Sequence, residues 1–355
     1  MFENETEFVR WLQRLTLRRE GRSAARPYKT PGHLKLGIGD DAALVEVARG
    51  QELILTTDMT IEDVHFRRRL HPPRAVGHRA LARALSDIAA MGGIPRFVLV
   101  SLAITKGTER SWVEELYAGM FSLARRFGVT AIGGDTAVIP GKTFLDVIVA
   151  GEVPRGKALR RSGARPGDQI FVSGRLGLSA WGLRLLPTAG RLAHSRTGTL
   201  SRLRRDKWRA PARRTREEAI QAHLYPEPQC ALGRFLSQRR LASALMDVSD
   251  GLSTDLARLC EASGVGACLW VNRIPGPGAF DAAESLTLAL HGGEDCQLLF
   301  TVPPHKAPRI PSTFRGLPLH RIGEIQKAKG LRLVGWDGKA RRLEPAGWDH
   351  FRKSQ

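Results

Sequence analysis

The chain is poor in cysteine, with only Cys230, Cys260, Cys268 and Cys296 among 355 residues and no C-x-x-C pair. Without such pairing, and with all four in the C-terminal half, they read as reduced thiols of a cytoplasmic protein rather than as a disulfide framework or zinc site. No apolar run approaches the roughly 20 residues that span a bilayer, so no membrane segment is expected. The first ten residues carry Glu3, Glu5 and Glu7 without a basic lead into an apolar stretch, so no secretory signal is expected there. Also missing are G-x-x-x-x-G-K-[S/T] and the H-R-D and D-F-G sets of protein kinases. A nucleotide held here must therefore be held by metal and carboxylate rather than by a phosphate-loop lysine.

Acidic residues are the scarcer sign, 35 against 55 Lys and Arg, for a net charge of +20. Such a balance raises the question of nucleic-acid binding. The excess is local: residues 191–216 hold ten basic residues against Asp206, and Trp208 is their one aromatic. A solvated loop or insertion at about 190–216 accounts for it, and nucleic acid is not the expected partner.

A chain of this length is expected to form two domains. Phe8, Trp11, Leu12 and Leu15 open the sequence at helical spacing. The runs 42–48 and 53–55, separated by Arg49-Gly50, read as a hairpin. A helix is expected over 73–91 with Leu81, Leu85 and Ile88 on one face. Strand, helix and two strands follow at 97–104, 109–127, 129–132 and 144–151. The Gly-, Pro- and Arg-rich segment 151–167 reads as the domain junction, giving domains 1–155 and 156–355. Beyond it, strands are expected at 169–173, 244–246, 267–271 and 297–302, and near Ile322 and Leu331. Helices are expected at 177–186, 251–262 and 280–290. The alternation argues α/β and α+β architecture.

Where carboxylates occur in this basic chain, they gather beside glycine. Gly37-Ile38-Gly39-Asp40-Asp41, Thr56-Thr57-Asp58, Ser86-Asp87, Gly133-Gly134-Asp135-Thr136, Asp247-Val248-Ser249-Asp250-Gly251 and Gly292-Gly293-Glu294-Asp295 are the six instances. Most are expected where a strand gives way to a loop, the usual place for ligand chemistry in α/β folds. Magnesium takes a few hard carboxylate oxygens and completes its octahedron with water and substrate phosphates. Glycine lets the backbone approach a phosphate with no Cβ in the way. Each motif alone has a structural reading: Asp40-Asp41 as a turn, Asp250 as a helix cap, His65 as a packed or solvated ring. Asp87 is harder to explain so, because it sits near the C-terminal end of its helix, where the dipole disfavours an anion. Six such motifs together favour a metal-dependent phosphate site.

In order along the chain, GIGDDA (37–42), TTDMTIEDVHF (56–66), ALSDIAAMG (84–92), IGGDT (132–136), RSGARPGD (161–168), DVSDGL (247–252), GGED (292–295) and GWDHF (347–351) resemble the thiamine-monophosphate kinase family. That family shares a superfamily with aminoimidazole ribonucleotide synthetase. The resemblance implies an N-terminal α/β domain, a C-terminal α+β domain and a homodimer joined through the N-terminal sheets. Carried over position by position, it implies ligation of several Mg2+ ions by Asp41, Thr56, Thr57, Asp58, Asp87, Asp135, Asp247 and Asp250. It implies ATP contacts from Gly134, Asp135, Arg161 and Ser249, and thiamine monophosphate contacts from His65, Glu294 and Trp348. The chain departs from the family at Asp63, where glycine is usual, at Ala84 and Ala137-Val138, and at Cys296, which replaces an aromatic.

The implied reaction is transfer of the ATP γ-phosphoryl group to thiamine monophosphate, giving thiamine diphosphate. It requires no covalent or acid–base residue, since the acceptor is already an anionic oxygen. The rivals are another ATP-dependent synthetase of the superfamily and a nucleic-acid-binding protein on an inactive scaffold. Val64-His65-Phe66 and Trp348-Asp349-His350-Phe351 favour the kinase.

Overall fold

A computed structural model of the chain describes residues 11, 14, 34–36, 44–194, 213–278 and 281–348. Of the helix expected around Phe8 to Leu15 only Trp11 and Arg14 are described, both helical, while the motif residue Asp41 and the centre of the basic stretch lie outside the described residues. Two compact units emerge, Met1–Leu159 with Pro228–Arg240, and Arg160–Glu227 with Leu241–Gln355. The segment 228–240 thus packs with the first unit, although it lies well beyond the expected 155/156 boundary.

In the first unit, β1 (Leu34–Leu36) pairs with β2 (Leu44–Val45). β3 (Gln51–Ile61), α1 (Pro73–Ala90), β4 (Ile94–Thr105), α2 (Arg110–Phe127), β5 (Thr130–Ile139) and β6 (Phe144–Pro154) follow. Among the described residues they build a four-stranded sheet in the order β3-β6-β4-β5. The expected hairpin across Arg49-Gly50 does not form. Those residues make a turn, but the strand before it pairs backwards with β1, and β3 runs antiparallel to β6, Gln51 opposite Pro154. Local turn chemistry is right there, and long-range pairing overrides its partner.

One face of the sheet is dry. Val98, Val100, Leu102, Leu145, Val147 and Val149 are buried on it, and Leu81, Leu85 and Ile88 of α1 are fully buried as their spacing requires. α1 starts with Pro73 in its first turn, where a missing N–H costs nothing, and α2 ends at Gly128 in the left-handed conformation, φ 68°. The two helices meet backbone to backbone. A Cβ on Gly77 would lie 1.9 Å from the Leu116 carbonyl oxygen, and one on Gly119 1.9 Å from that of Arg74. Gly119→Ala is therefore expected to destabilise the protein by about 3 kcal/mol, since the obstruction is main chain and cannot rotate away. Urea unfolding checks this, and an unchanged midpoint would refute the contact. Helix α5 (Cys230–Gln238, numbered in chain order below) closes on α1 in the same way, with Gly233 against the Ala89 carbonyl. This approach is why 228–240 belongs to the first unit.

The second unit comprises β7 (Gln169–Ser173), α3 (Leu178–His194), α4 (Arg213–Leu224), β8 (Ala244–Val248), α6 (Leu252–Ser263), β9 (Gly266–Trp270), α7 (Ala282–His291), β10 (Gln297–Val302), β11 (Thr313–Phe314), β12 (Leu317–Gln326), β13 (Gly330–Val334) and β14 (Ala340–Leu343). Its sheet runs β14-β13-β9-β12-β7-β10-β8, with β11 on β12. The core sits where Ile170, Val172, Met246 and Leu299 meet Leu252, Leu256 and Leu259 of α6. Helices reach further into the basic stretch than expected, α3 to His194 and α4 from Arg213. Among the described residues no helix is long and apolar enough to cross a membrane, and all four cysteines are buried and outside any disulfide.

Candidate active site

In the first unit, Thr56, Thr57 and Asp58 stand in the middle of edge strand β3 rather than at a strand end. Alternation sends Thr56 and Asp58 one way and Thr57 the other. Thr56 Oγ1 donates to Asp87 Oδ2 at 2.5 Å. One turn earlier on α1, Arg83 Nη2 pairs with Asp58 Oδ1 at 2.9 Å. The last turns of α1 therefore hold Asp87 and Arg83 against β3, and the Thr56 hydroxyl offsets part of the dipole penalty on Asp87.

Thr57 Oγ1 donates to Asp146 Oδ1 at 2.6 Å. Asp135 is exposed in the middle of β5, the opposite edge of the sheet, and accepts the Thr136 N–H on Oδ1 at 2.8 Å. Beside it, a Cβ on Gly134 would lie 2.1 Å from the Val100 carbonyl oxygen, so glycine is what lets β5 close on β4 here. Three strand spacings, roughly 14 Å along the sheet, separate the β3 residues from Asp135. One copy of the sheet does not bring them side by side.

His65 follows β3 in a tight turn. The Ile61 N–H donates to His65 Nδ1 at 3.0 Å, so the neutral ring carries its proton on Nε2. Asp63, where the family usually has glycine, has φ 65°, a left-handed conformation that glycine adopts without strain. The exposed Asp63 carboxylate pairs with Lys142, whose hydrogen bond holds its pKa below the usual range.

The second unit gathers the other motifs. Asp247 is buried on β8, opposite Leu298 of β10. The loop after β8 wraps around Asp255, a buried carboxylate whose Oδ2 accepts N–H bonds from Ser249 at 3.1 Å, Asp250 at 3.0 Å and Gly251 at 3.0 Å. Burial, with the charges of Asp247 and Asp250 adding to it, pushes Asp255 up to about 7. The structural reading of Asp250 as a helix cap does not hold. Gly251 occupies the cap position without a side-chain bond, and the Asp250 carboxylate pairs with Arg258.

Against this loop lies the segment after α7. The Glu294 N–H donates to the Ser249 carbonyl at 2.8 Å, and a Cβ on Gly293 would sit 2.4 Å from the same oxygen. From the C-terminal side, the Trp348 N–H donates to the Asp250 carbonyl at 2.9 Å, leaving the indole half exposed. Ser249, Asp250, Glu294 and Trp348 thus converge. Arg161 is exposed in the segment before β7, its carbonyl accepting from Ser263 Oγ at 3.2 Å.

Sequence reading gave no role to Asp255, Arg83 or Arg258, and named Asp295 only as a member of the Gly292–Asp295 motif. The signal available for Asp255 was an acidic residue in the first turn of its helix. Asp295 is buried and accepts the N–H groups of Gly177 at 2.6 Å and Ser179 at 2.9 Å, capping α3 from a distance. Its neighbours Glu294 and Cys296 take left-handed φ values of 66° and 51°, so this anchor holds a strained segment in place.

Burial raises the Asp295 pKa from 3.8 to about 7. A carboxyl whose folded pKa lies above its unfolded one stabilises the fold most fully below about pH 4, and that contribution fades as pH climbs to 7. Asp295→Asn keeps an acceptor oxygen but cannot ionise. It should remove up to about 4 kcal/mol from the stability difference between pH 4 and pH 8. Urea unfolding at both pH values measures it, and an unaltered difference would rule out titration of Asp295.

In each unit the hydroxyl and carboxylate oxygens described above are hard donors of the kind that magnesium takes. Among the described residues no three His, Cys, Asp or Glu side chains already form a cage.

Residues 39–153 match the AIR synthase related protein, N-terminal domain, and residues 165–335 match its C-terminal domain. Fold and site together define a two-domain protein of the AIR synthase related class. Within it, the chain is 36% identical over 322 residues to thiamine-monophosphate kinase of Bacillus subtilis (strain 168), covering 89% of this chain and 94% of that one. The crystal structure of thiamine-monophosphate kinase from Stenotrophomonas maltophilia K279a is 33% identical, with TM-score 0.73 over 88% of this chain and 93% of its own. AaThiL complexed with AMPPCP and TMP is 31% identical, with TM-score 0.68 over 98% and 97%. This chain belongs to the thiamine-monophosphate kinase family.

Proposed function

We propose that the chain transfers the γ-phosphoryl group of ATP to the phosphate of thiamine monophosphate, forming thiamine diphosphate and ADP. The convergence of Ser249, Asp250, Glu294 and Trp348 carries this reading, in a chain similar over nearly its full length to a protein solved with AMPPCP and TMP. Asp41, Thr56, Thr57, Asp58, Asp87 and Asp135 of the N-terminal domain, with Asp247 and Asp250 of the C-terminal one, would hold magnesium. When bound, the ions would neutralise the repulsion between the ATP triphosphate and the acceptor phosphate and polarise the transferred group.

The chain's own residues position the reactants. Gly134, Asp135 and Ser249 contact ATP, and Arg161 clamps phosphate with its planar fork. His65 offers its Nε2–H to the acceptor, Glu294 orients it, and the exposed Trp348 indole lies against a substrate ring. An anionic acceptor oxygen attacks without a general base.

A cytoplasmic homodimer fits the first unit. Leu53, Leu55 and Met59 are large apolar side chains exposed on the open face of its sheet, which a second copy would cover. A second copy is also the route by which β3 and β5 donors from opposite edges could approach one ion.

The nearest rival is a superfamily synthetase with another oxygen acceptor. An ATP-dependent assay offering thiamine monophosphate, thiamine and aminoimidazole precursors side by side decides between them.

A further inference from the structure

Asp146 has no role in the scheme above, yet its position joins it to one of the proposed ligands. It stands on β6 directly opposite Met59 of β3, with Thr57 opposite Ile148, so Thr57 and Asp146 are diagonal neighbours on one face. Their hydrogen bond, 2.6 Å from Thr57 Oγ1 to Asp146 Oδ1, uses the single hydrogen of the hydroxyl. What remains on that oxygen is lone-pair density, the part that can bind a cation. The same arrangement recurs on the other side of the strand, where Thr56 gives its hydrogen to Asp87. Asp146 also lies opposite Ser101 of β4, and Ser101 lies opposite Asp135 of β5. Residues directly opposite point the same way, so Asp146, Asp135 and Thr57 share a face.

We propose that Asp146 is a positioning residue of the magnesium site. It accepts the Thr57 hydrogen, turns the hydroxyl lone pairs toward the ion, and adds negative charge beside it. The inference rests on the metal assignments of the proposed function.

The test uses Mn2+ as the probe, titrated into the full chain with AMPPCP and followed by electron paramagnetic resonance, alongside the Mg2+ dependence of turnover. Asp146→Ala should weaken Mn2+ binding and raise the Mg2+ half-saturation point about tenfold, the usual scale for a residue behind a metal ligand. The KM for thiamine monophosphate should move less than about twofold. Asp146→Asn keeps the acceptor oxygen without the charge and should fall between the wild type and the alanine variant. Because Asp146 acts mainly through the Thr57 hydroxyl, Asp146→Ala should weaken Mn2+ binding clearly less in a Thr57→Val background than in the wild type, the remainder being the lost charge.

Native Mn2+ affinity in Asp146→Ala, or full additivity in the double variant, would overturn the proposal. If the alanine variant loses thermal stability, the near-isosteric asparagine variant decides, and native affinity there together with native Mg2+ dependence counts against the proposal. The Mn2+ titration does not depend on turnover, so a wild type inert toward thiamine monophosphate would count against the proposed function alone.

Discussion

Asp58→Asn and Asp135→Asn should each lower turnover at least about a hundredfold while the protein stays folded, a loss of roughly 3 kcal/mol of transition-state stabilisation. Each substitution removes one negative oxygen from a proposed magnesium site while keeping the size of the side chain. Folding should survive because Asp135 is exposed, and the partly exposed Asp58–Arg83 pair contributes little to stability. Turnover at saturating Mg2+ and a thermal melt for each variant are the measurements. Near-native turnover in either would sink the metal assignment.

The opposite-edge placement of the two residues adds a sharper readout. If a proposed site draws Asp58 from one copy and Asp135 from its partner, mixing the two inactive variants after subunit exchange should restore about a quarter of native sites, one intact site in each mixed dimer. No recovery in verified mixed dimers would mean that both residues act within one copy.

Thiamine monophosphate should be phosphorylated and unphosphorylated thiamine should not, the second large effect. Thiamine presents a neutral hydroxyl, whose attack needs a base to take its proton, and the residues proposed for the site are metal ligands and positioning groups. Without its phosphate, the acceptor would also lose an oxygen that ties it to the metal, and a displaced attacking atom can cost a hundredfold by itself. His65→Ala and Glu294→Ala should then raise the KM for thiamine monophosphate more than that for ATP. Product analysis at matched acceptor concentrations is the check. Efficient conversion of free thiamine, or use of a different acceptor alone, would reject the kinase reading.

Parts of the fold were legible because burial leaves a local trace. The strands Gln169–Ser173 and Gln297–Val302 are short apolar runs between breakers, and both fall where expected. The buried stripe of α1 follows from Leu81, Leu85 and Ile88 at helical spacing. The motif strands were less legible. Thr56–Asp58 and Gly133–Thr136 lie inside β3 and β5, although their Gly and Asp content argues for strand ends. Both strands are sheet edges, where polar side chains and glycines are tolerated and a long-range partner supplies the hydrogen bonds. The hairpin expectation failed for the same reason.

The amino-acid sequence alone determined the family and the kinds of side chain available to the site. Hard oxygen donors, flanking glycines and their order along the chain are properties of residue type and spacing, and both can be read before anything folds. Only the tertiary structure decided which donors meet. Asp255 draws the Ser249–Gly251 backbone around itself, Asp295 pins the Glu294 segment to α3, and Asp146 takes the Thr57 hydrogen. These contacts arise from strand register and from backbones closing at Gly134 and Gly293, positions where any Cβ would collide. Register and close approach belong to pairs of segments far apart in the chain, so neither segment carries a signal of them by itself.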